Sequence, residues 1–168
     1  MFDLTTATRI NAKYYRKAIS IFFVLILLPL TLSLINITFA ESWKIHFFPA
    51  AVILAAVIFG PVGGIIAGIS GSLYTALFLG NPYIIVGNAL FGLLTAIFYK
   101  KTGKIIFSAL LAYLCELPWL ILTDYYLAHL TADFIAKLVI VLFLGNLLWA
   151  AIIELSIKPI RKLFNVSL

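Results

Sequence analysis

The stretch FPAAVILAAVIFGPVGGIIAGISG, from Phe48 to Gly71, decides the class of this protein. It holds no charged residue and is interrupted once, at Gly60-Pro61. Gly60, Gly64 and Gly68 recur every fourth position, so they share one helix face. Lipid tails are as apolar as leucine, so hydrophobicity does not pull helices together inside a bilayer. Small residues do the work instead, by letting helix backbones approach closely. The stretch therefore predicts membrane helices packed into a bundle.

The rest of the chain agrees. Of 168 residues, 64% are hydrophobic and 11% charged, against about 45–50% and about 25% in soluble domains. A chain this short cannot bury that much apolar surface in water. The expected fold is an all-α integral membrane protein forming a single transmembrane domain over residues 1–168. The net charge is +6, but the basic residues sit at the ends of apolar runs, which argues against a nucleic-acid partner and for contact with membrane lipid. Cys115 is the sole cysteine, which excludes an internal disulfide framework and a Cys-rich metal site.

A spanning helix needs about 20 apolar residues. Six apolar runs are legible, at about 18–39, 47–59, 61–79, 83–99, 105–123 and 134–157. The first follows Arg9, Lys13, Arg16 and Lys17 and ends near Thr38-Phe39-Ala40, as a signal peptide would. At about 22 residues it exceeds the usual h-region of 7–15, so a retained helix is expected. Glu41 to His46 reads as a short amphipathic connection, Gly80-Asn81-Pro82 as a turn, and Asp124 to Asp133 as a polar, aromatic connection. The run at 47–59 is short, reaching only ~20 Å of a ~30 Å hydrocarbon core. A single kinked helix, two crossings and a re-entrant hairpin compete for 47–79. Ten of the twelve Lys and Arg fall in three clusters, before Ala18, at Lys100–Lys104 and at Lys158–Lys162. Placing all three on the cytoplasmic side excludes the kinked helix. Two crossings are expected, with the short arm shielded by neighbours because bare backbone is not tolerated in lipid. The result is a six-transmembrane-helix bundle with both termini cytoplasmic.

Glu116 stands in the middle of an apolar run, just before Pro118. An ionisable residue within a membrane span is a functional-site hypothesis by default. Glu154 lies four residues before Lys158, a favourable helix-pair spacing, and is expected to form that pair. Asn146 and Trp149 lie within one helical turn, and Asn88 sits on the fourth run. Trp119, Trp149, Tyr125 and Tyr126 offer ring faces for a flat or cationic ligand, although an interfacial aromatic belt is the plainer reading of the two tyrosines. Trp43 and His46 precede the second run. His46 and His129 lack the clustered partners of a metal site. No nucleophile elbow, Walker loop or helical His pair occurs. No enzyme activity, cofactor or metal is expected, and any driven transport must take its energy from a partner or an ion gradient.

Phe48-Pro-Ala, Phe59-Gly-Pro-Val-Gly-Gly-Ile-Ile-Ala-Gly68, Gly87-Asn-Ala-Leu-Phe-Gly92 running into Tyr99-Lys-Lys101, and the basic tail Lys158-Pro-Ile-Arg-Lys162 together resemble the substrate-binding membrane subunits, or S-components, of energy-coupling-factor (ECF) vitamin transporters. The resemblance covers most of the chain by layout and about 45 residues by pattern. It implies capture of a vitamin-like small molecule from outside, then ATP-driven uptake with a transmembrane coupling subunit and two ATPase subunits. It places the protein in a cell membrane, as a multi-pass protein of a prokaryotic plasma membrane. The pocket it implies offers Trp43, His46, Asn88, Glu116, Trp119, Tyr125, Asn146 and Trp149. In that family small residues of the first helix, often Ala-x-x-x-Ala, form the docking face. The first run here has no such pair. The nearest equivalents for partner docking are Ala51 and Ala55 with Gly60, Gly64 and Gly68.

Glu116 among aromatic residues hints at a flat heterocycle bearing a cation or an amine. The competing reading is a membrane scaffold, or a sensor's membrane region, acting through protein partners. A lipid-modifying enzyme fits less well, because the cytoplasmic ends offer bases without clustered acids or histidines.

Overall fold

The computed structural model describes residues 18–39 and 43–164, with the side chains of Phe39, Trp43, Leu163 and Phe164 outside the description. The four N-terminal basic residues and Glu41 lie outside the described residues. Helix α1 covers Ala18–Ser33. A hairpin of β1 (Asn36–Phe39) and β2 (Trp43–His46) follows, then α2 (Phe48–Leu79), α3 (Tyr83–Thr102), α4 (Ile105–Leu122, continued by a π-turn over Thr123–Leu127) and α5 (Ala132–Phe164). Among the described residues, four helices are long and apolar enough to cross a membrane: Phe48–Leu79, Tyr83–Thr102, Ile105–Leu127 and Ala132–Lys162. Ala18–Ser33 is a shorter apolar helix. The protein is membrane-embedded and almost wholly helical.

The first helix is shorter than the apolar run predicts. It stops at Ser33, and Asn36–Phe39 pairs antiparallel with Trp43–His46, setting Asn36 opposite His46 and Ile37 opposite Ile45. Alternating β-branched Ile37 and Thr38 favour the strand, and the partner strand satisfies backbone groups that helix would otherwise have paired. Within α1, Pro29 lacks the N–H that would bond to Leu25 O. The helix widens into a π-turn over Phe23–Leu27, with Leu28 N donating to Phe23 O. Ser70 Oγ, from the second half of α2, lies 2.7 Å from Leu25 O. A π-turn and a serine from a neighbouring helix are the means by which a bilayer tolerates a proline break.

Helix α2 is two arms, 48–59 and 61–79, reversed at Gly60. That residue has φ 71° and ψ −159°, which is not helical. A Cβ on Gly63 would lie 2.9 Å from Ala55 O, and one on Gly71 would lie 2.9 Å from Phe48 Cδ2. On a straight helix at about 1.5 Å per residue, the second pair would be some 35 Å apart. The arms therefore run back along each other. The short first arm is buried on every side, with Ala51, Val52, Ile53, Ala55 and Ala56 essentially inaccessible. Burial within protein is what lets so short an arm lie in a membrane bundle.

The glycine face of the second arm packs on α3. A Cβ on Gly64 would run into the carbonyl of Gly92, one on Gly92 into that of Gly64, and one on Gly68 into that of Asn88. These two helices touch backbone to backbone. The expectation that Ala51, Ala55, Gly64 and Gly68 form a docking surface is thus corrected: all four are buried inside the chain. Gly60 alone of that set has open space around it, and there it serves the reversal.

The expected Glu154–Lys158 pair is also absent, because a nearer partner wins. Glu154 Oε2 accepts from Ile106 N at 2.8 Å, satisfying a free amide at the N-terminus of α4, where a negative charge is favoured. At the same end of the bundle, Arg161 Nη2 donates to Tyr99 OH at 2.6 Å. The opposite end carries the β-hairpin, Asn81 and the π-turn of α4.

Candidate functional site

Three helical stripes and the β-hairpin enclose a cavity of about 540 Å³ at this second end. From α3 come Tyr83, Ile84, Gly87, Asn88 and Phe91. From α4 come Tyr113, Glu116, Trp119, Leu120, Thr123 and Asp124. From α5 come Phe134, Lys137, Leu138, Val141, Leu142, Gly145 and Asn146. Each set steps by three or four residues, so each helix turns one face inward. Thr38, Lys44, Ile45 and His46 of the hairpin complete the wall, with Phe48, Pro49, Thr75 and Leu79 of α2. The size is that of small-molecule sites, and the mix of apolar walls with a few polar groups is typical of them.

Local bonds hold the walls. Asn81 Nδ2 donates to Asp124 Oδ1 at 3.0 Å, while its Oδ1 accepts from Tyr83 N at 3.1 Å at the start of α3. Trp119 Nε1 donates to Tyr83 O at 3.2 Å. Tyr113 OH donates to Val139 O at 2.7 Å, tying α4 to α5. Asn88 Nδ2 is held by Ile84 O at 2.9 Å, which leaves its carbonyl oxygen for another donor. Glu116 and Asn146 are 8% and 7% exposed, and neither has a hydrogen-bond partner among the described residues. Gly87 makes room for the acid: a Cβ there would lie 2.9 Å from Glu116 Oε1 and 3.4 Å from Trp119 Cδ1. His46 Nδ1 is buried without a partner. Burial, and then the nearby Lys44 charge, hold this imidazole below its ordinary pKa, so it stays neutral at pH 7.

Five of the eight sequence-derived pocket residues meet here: His46, Asn88, Glu116, Trp119 and Asn146. Trp149 stands behind the wall. Its Nε1 donates to His46 O at 2.8 Å, and its ring lies 4.7 Å from that of Phe47, centroid to centroid. Replacing Trp149 with Phe keeps the ring and deletes the bond. It is expected to cost about 1 kcal/mol and to speed amide exchange over 43–46, read by hydrogen–deuterium exchange. Unchanged exchange would mean the hairpin is anchored elsewhere. Tyr125 faces away, on a shallow apolar groove with Ile121 and Ile135, and packs edge-on against Tyr126 at 4.9 Å. The side chain of Trp43 lies outside the described residues.

Sequence reasoning missed Asp124, Asn81, Gly87 and Tyr113. The sequence places Asp124 at the start of a polar connection, but the π-turn carries α4 past it. The signal was its spacing: Glu116, Leu120 and Asp124 are four apart and share a face. Among the described residues, no three His, Cys, Asp or Glu side chains gather as a metal site would need. Comparison of the chain with protein-family models, with curated proteins and with solved structures finds no match.

Proposed function

We propose that this protein is the substrate-binding membrane subunit of an ECF-type importer, capturing a vitamin-like small molecule from outside the cell. In this reading α1, the two arms of α2, and α3 to α5 make six crossings. Both termini and the Gly60 reversal face the cytoplasm of a prokaryotic cell. The lysine-rich ends of α3 and α5, lying opposite the cavity, support that orientation. The cavity at the β-hairpin end then opens outward. A coupling subunit and two ATPases supply the movement, since this chain has no phosphate-binding loop. With the glycine face occupied internally, the partner docks on another surface.

The observation that carries the reading is the 540 Å³ cavity with Glu116 and Asn146 in its wall, both low in exposure and without a hydrogen-bond partner among the described residues. Their polar groups line the cavity, where a bound ligand can pair with them. Native mass spectrometry tests it on protein reconstituted in nanodiscs and exposed to a small-molecule extract. One discrete retained mass is expected. Retention of nothing, with co-purification of a protein partner alone, replaces this reading with that of a membrane scaffold.

A further inference from the structure

Charge in the cavity is unevenly buried. Its two acids, Glu116 and Asp124, are 8% and 6% exposed, lie on one face of α4, and are within coulombic reach of each other. Its two lysines are exposed and engaged elsewhere. Lys137 Nζ bonds to Asp133 Oδ2 at 2.6 Å, with both side chains mostly exposed. Lys44 Nζ sits 6.0 Å from the centre of the Phe78 ring. His46, on the hairpin, is held neutral. Two acids so placed cannot both carry charge cheaply, and neither has an ion pair among the described residues. Asp124 has partial relief from Asn81; Glu116 has none among the described residues. On the facing wall, Asn146 has no hydrogen-bond partner among the described residues, and its amide offers the void both a donor and an acceptor.

On the reading of the cavity as a capture site, we infer that its ligand is an organic cation, with a positively charged nitrogen seated at Glu116, in the field of Asp124, and an apolar, ring-bearing body along Trp119 and Phe91. A cation at Glu116 supplies that carboxylate with a charge-assisted partner and offsets the unfavourable charge of Asp124 two turns along the same helix. Trp119 lies three residues after Glu116, on the same face, so its indole adds a π-face beside the charge. Its nitrogen is already committed to Tyr83 O, which leaves the ring to act through its face. A bare metal ion would leave nearly all of the 540 Å³ empty. An anion would meet two buried acids and, among the described residues, no buried cationic side chain.

Three probes of one shape separate the possibilities: naphthylmethylammonium, naphthylmethanol and naphthoate. Each is titrated against the full chain in nanodiscs of neutral lipid, with empty nanodiscs as the blank. The ammonium is expected to bind about tenfold tighter than the alcohol, a difference of about 1.4 kcal/mol, and naphthoate weakest. Glu116→Gln keeps the shape and removes the charge, so the ammonium should fall to the level of the alcohol while the alcohol is unchanged. Asp124→Asn should remove part of the preference and provides the same readout if Glu116→Gln fails to fold. Naphthoate binding best, equal affinities, binding by none of the three, or an ammonium preference that survives both substitutions would overturn the charge assignment. A retained mass in the extract experiment would still leave small-molecule capture standing. Loss of that mass, by contrast, removes the capture reading itself.

Discussion

Gly64→Leu is expected to abolish the folded bundle. The Cβ alone would enter the carbonyl of Gly92 on α3, and the four-carbon side chain has nowhere to rotate, because the obstruction is backbone. Overpacking a core typically costs about 1–3 kcal/mol when side chains can shift; here two helix axes must move apart. The close approach also supplies the dispersion contacts that hold helices together in lipid, so separating them removes the attraction as well as adding strain. A loss above about 3 kcal/mol is expected, read as aggregation on size-exclusion chromatography and as loss of a cooperative melt in detergent. Val62→Leu is the matched control. It lies two residues away, is 67% exposed, and should leave both readouts unchanged. A folded Gly64→Leu protein that binds ligand but supports no uptake would reverse the assignment and return this face to a partner.

Gly60→Val tests backbone strain without crowding. Nothing lies within 4 Å of the position its Cβ would take, so sterics with neighbours are not the cause of any loss. At φ 71° and ψ −159°, however, the backbone occupies a region essentially reserved for glycine, worth about 1–3 kcal/mol to any other residue. A β-branched residue should fall at the upper end. The measurement is the midpoint of thermal unfolding, with Gly145→Ala, also in open space but without the positive φ, as the comparison. If Gly60→Val melts with the parent protein, the two arms do not reverse at this residue. The chain would then run as the continuous helix that the lysine clusters argue against.

The two substitutions mark different kinds of information. The Gly60-Pro61 break made the reversal legible, because helix termination is a local property. The fourfold spacing of Gly60, Gly64 and Gly68 announced a close helix contact but not its partner. The contact could be internal or external on sequence alone, and only the crossing of the second arm with α3 assigns it. The first helix was overread for a similar reason. Residues 36–39 are as apolar as a helix end, and the strand exists through pairing with 43–46, a contact that no single segment reveals.

At the site, Glu116 was conspicuous by itself, since a carboxyl in an apolar run is costly wherever the run folds. Asn88, Trp119, Asn146 and His46 were legible as polar or aromatic exceptions in such runs. Asp124 and Gly87 were not. Asp124 looked like loop until the π-turn placed it one helical face along from Glu116. Gly87 matters for what it leaves empty beside the carboxyl. Glu154 was assigned to Lys158 by spacing, yet an amide on another helix lies closer.

What the sequence determined by itself was the solvent: an uncharged, glycine-striped run within a 64% hydrophobic chain belongs in a bilayer, and its breaks and lysines set where helices turn. The tertiary structure decided which faces meet. It placed the glycine stripe against α3, brought three helical stripes around one cavity, and left Glu116 and Asp124 with no cationic partner among the described residues. Periodicity determines that a helix has a face. The partner of that face depends on the packing of all the helices at once, and that is not written in any one of them.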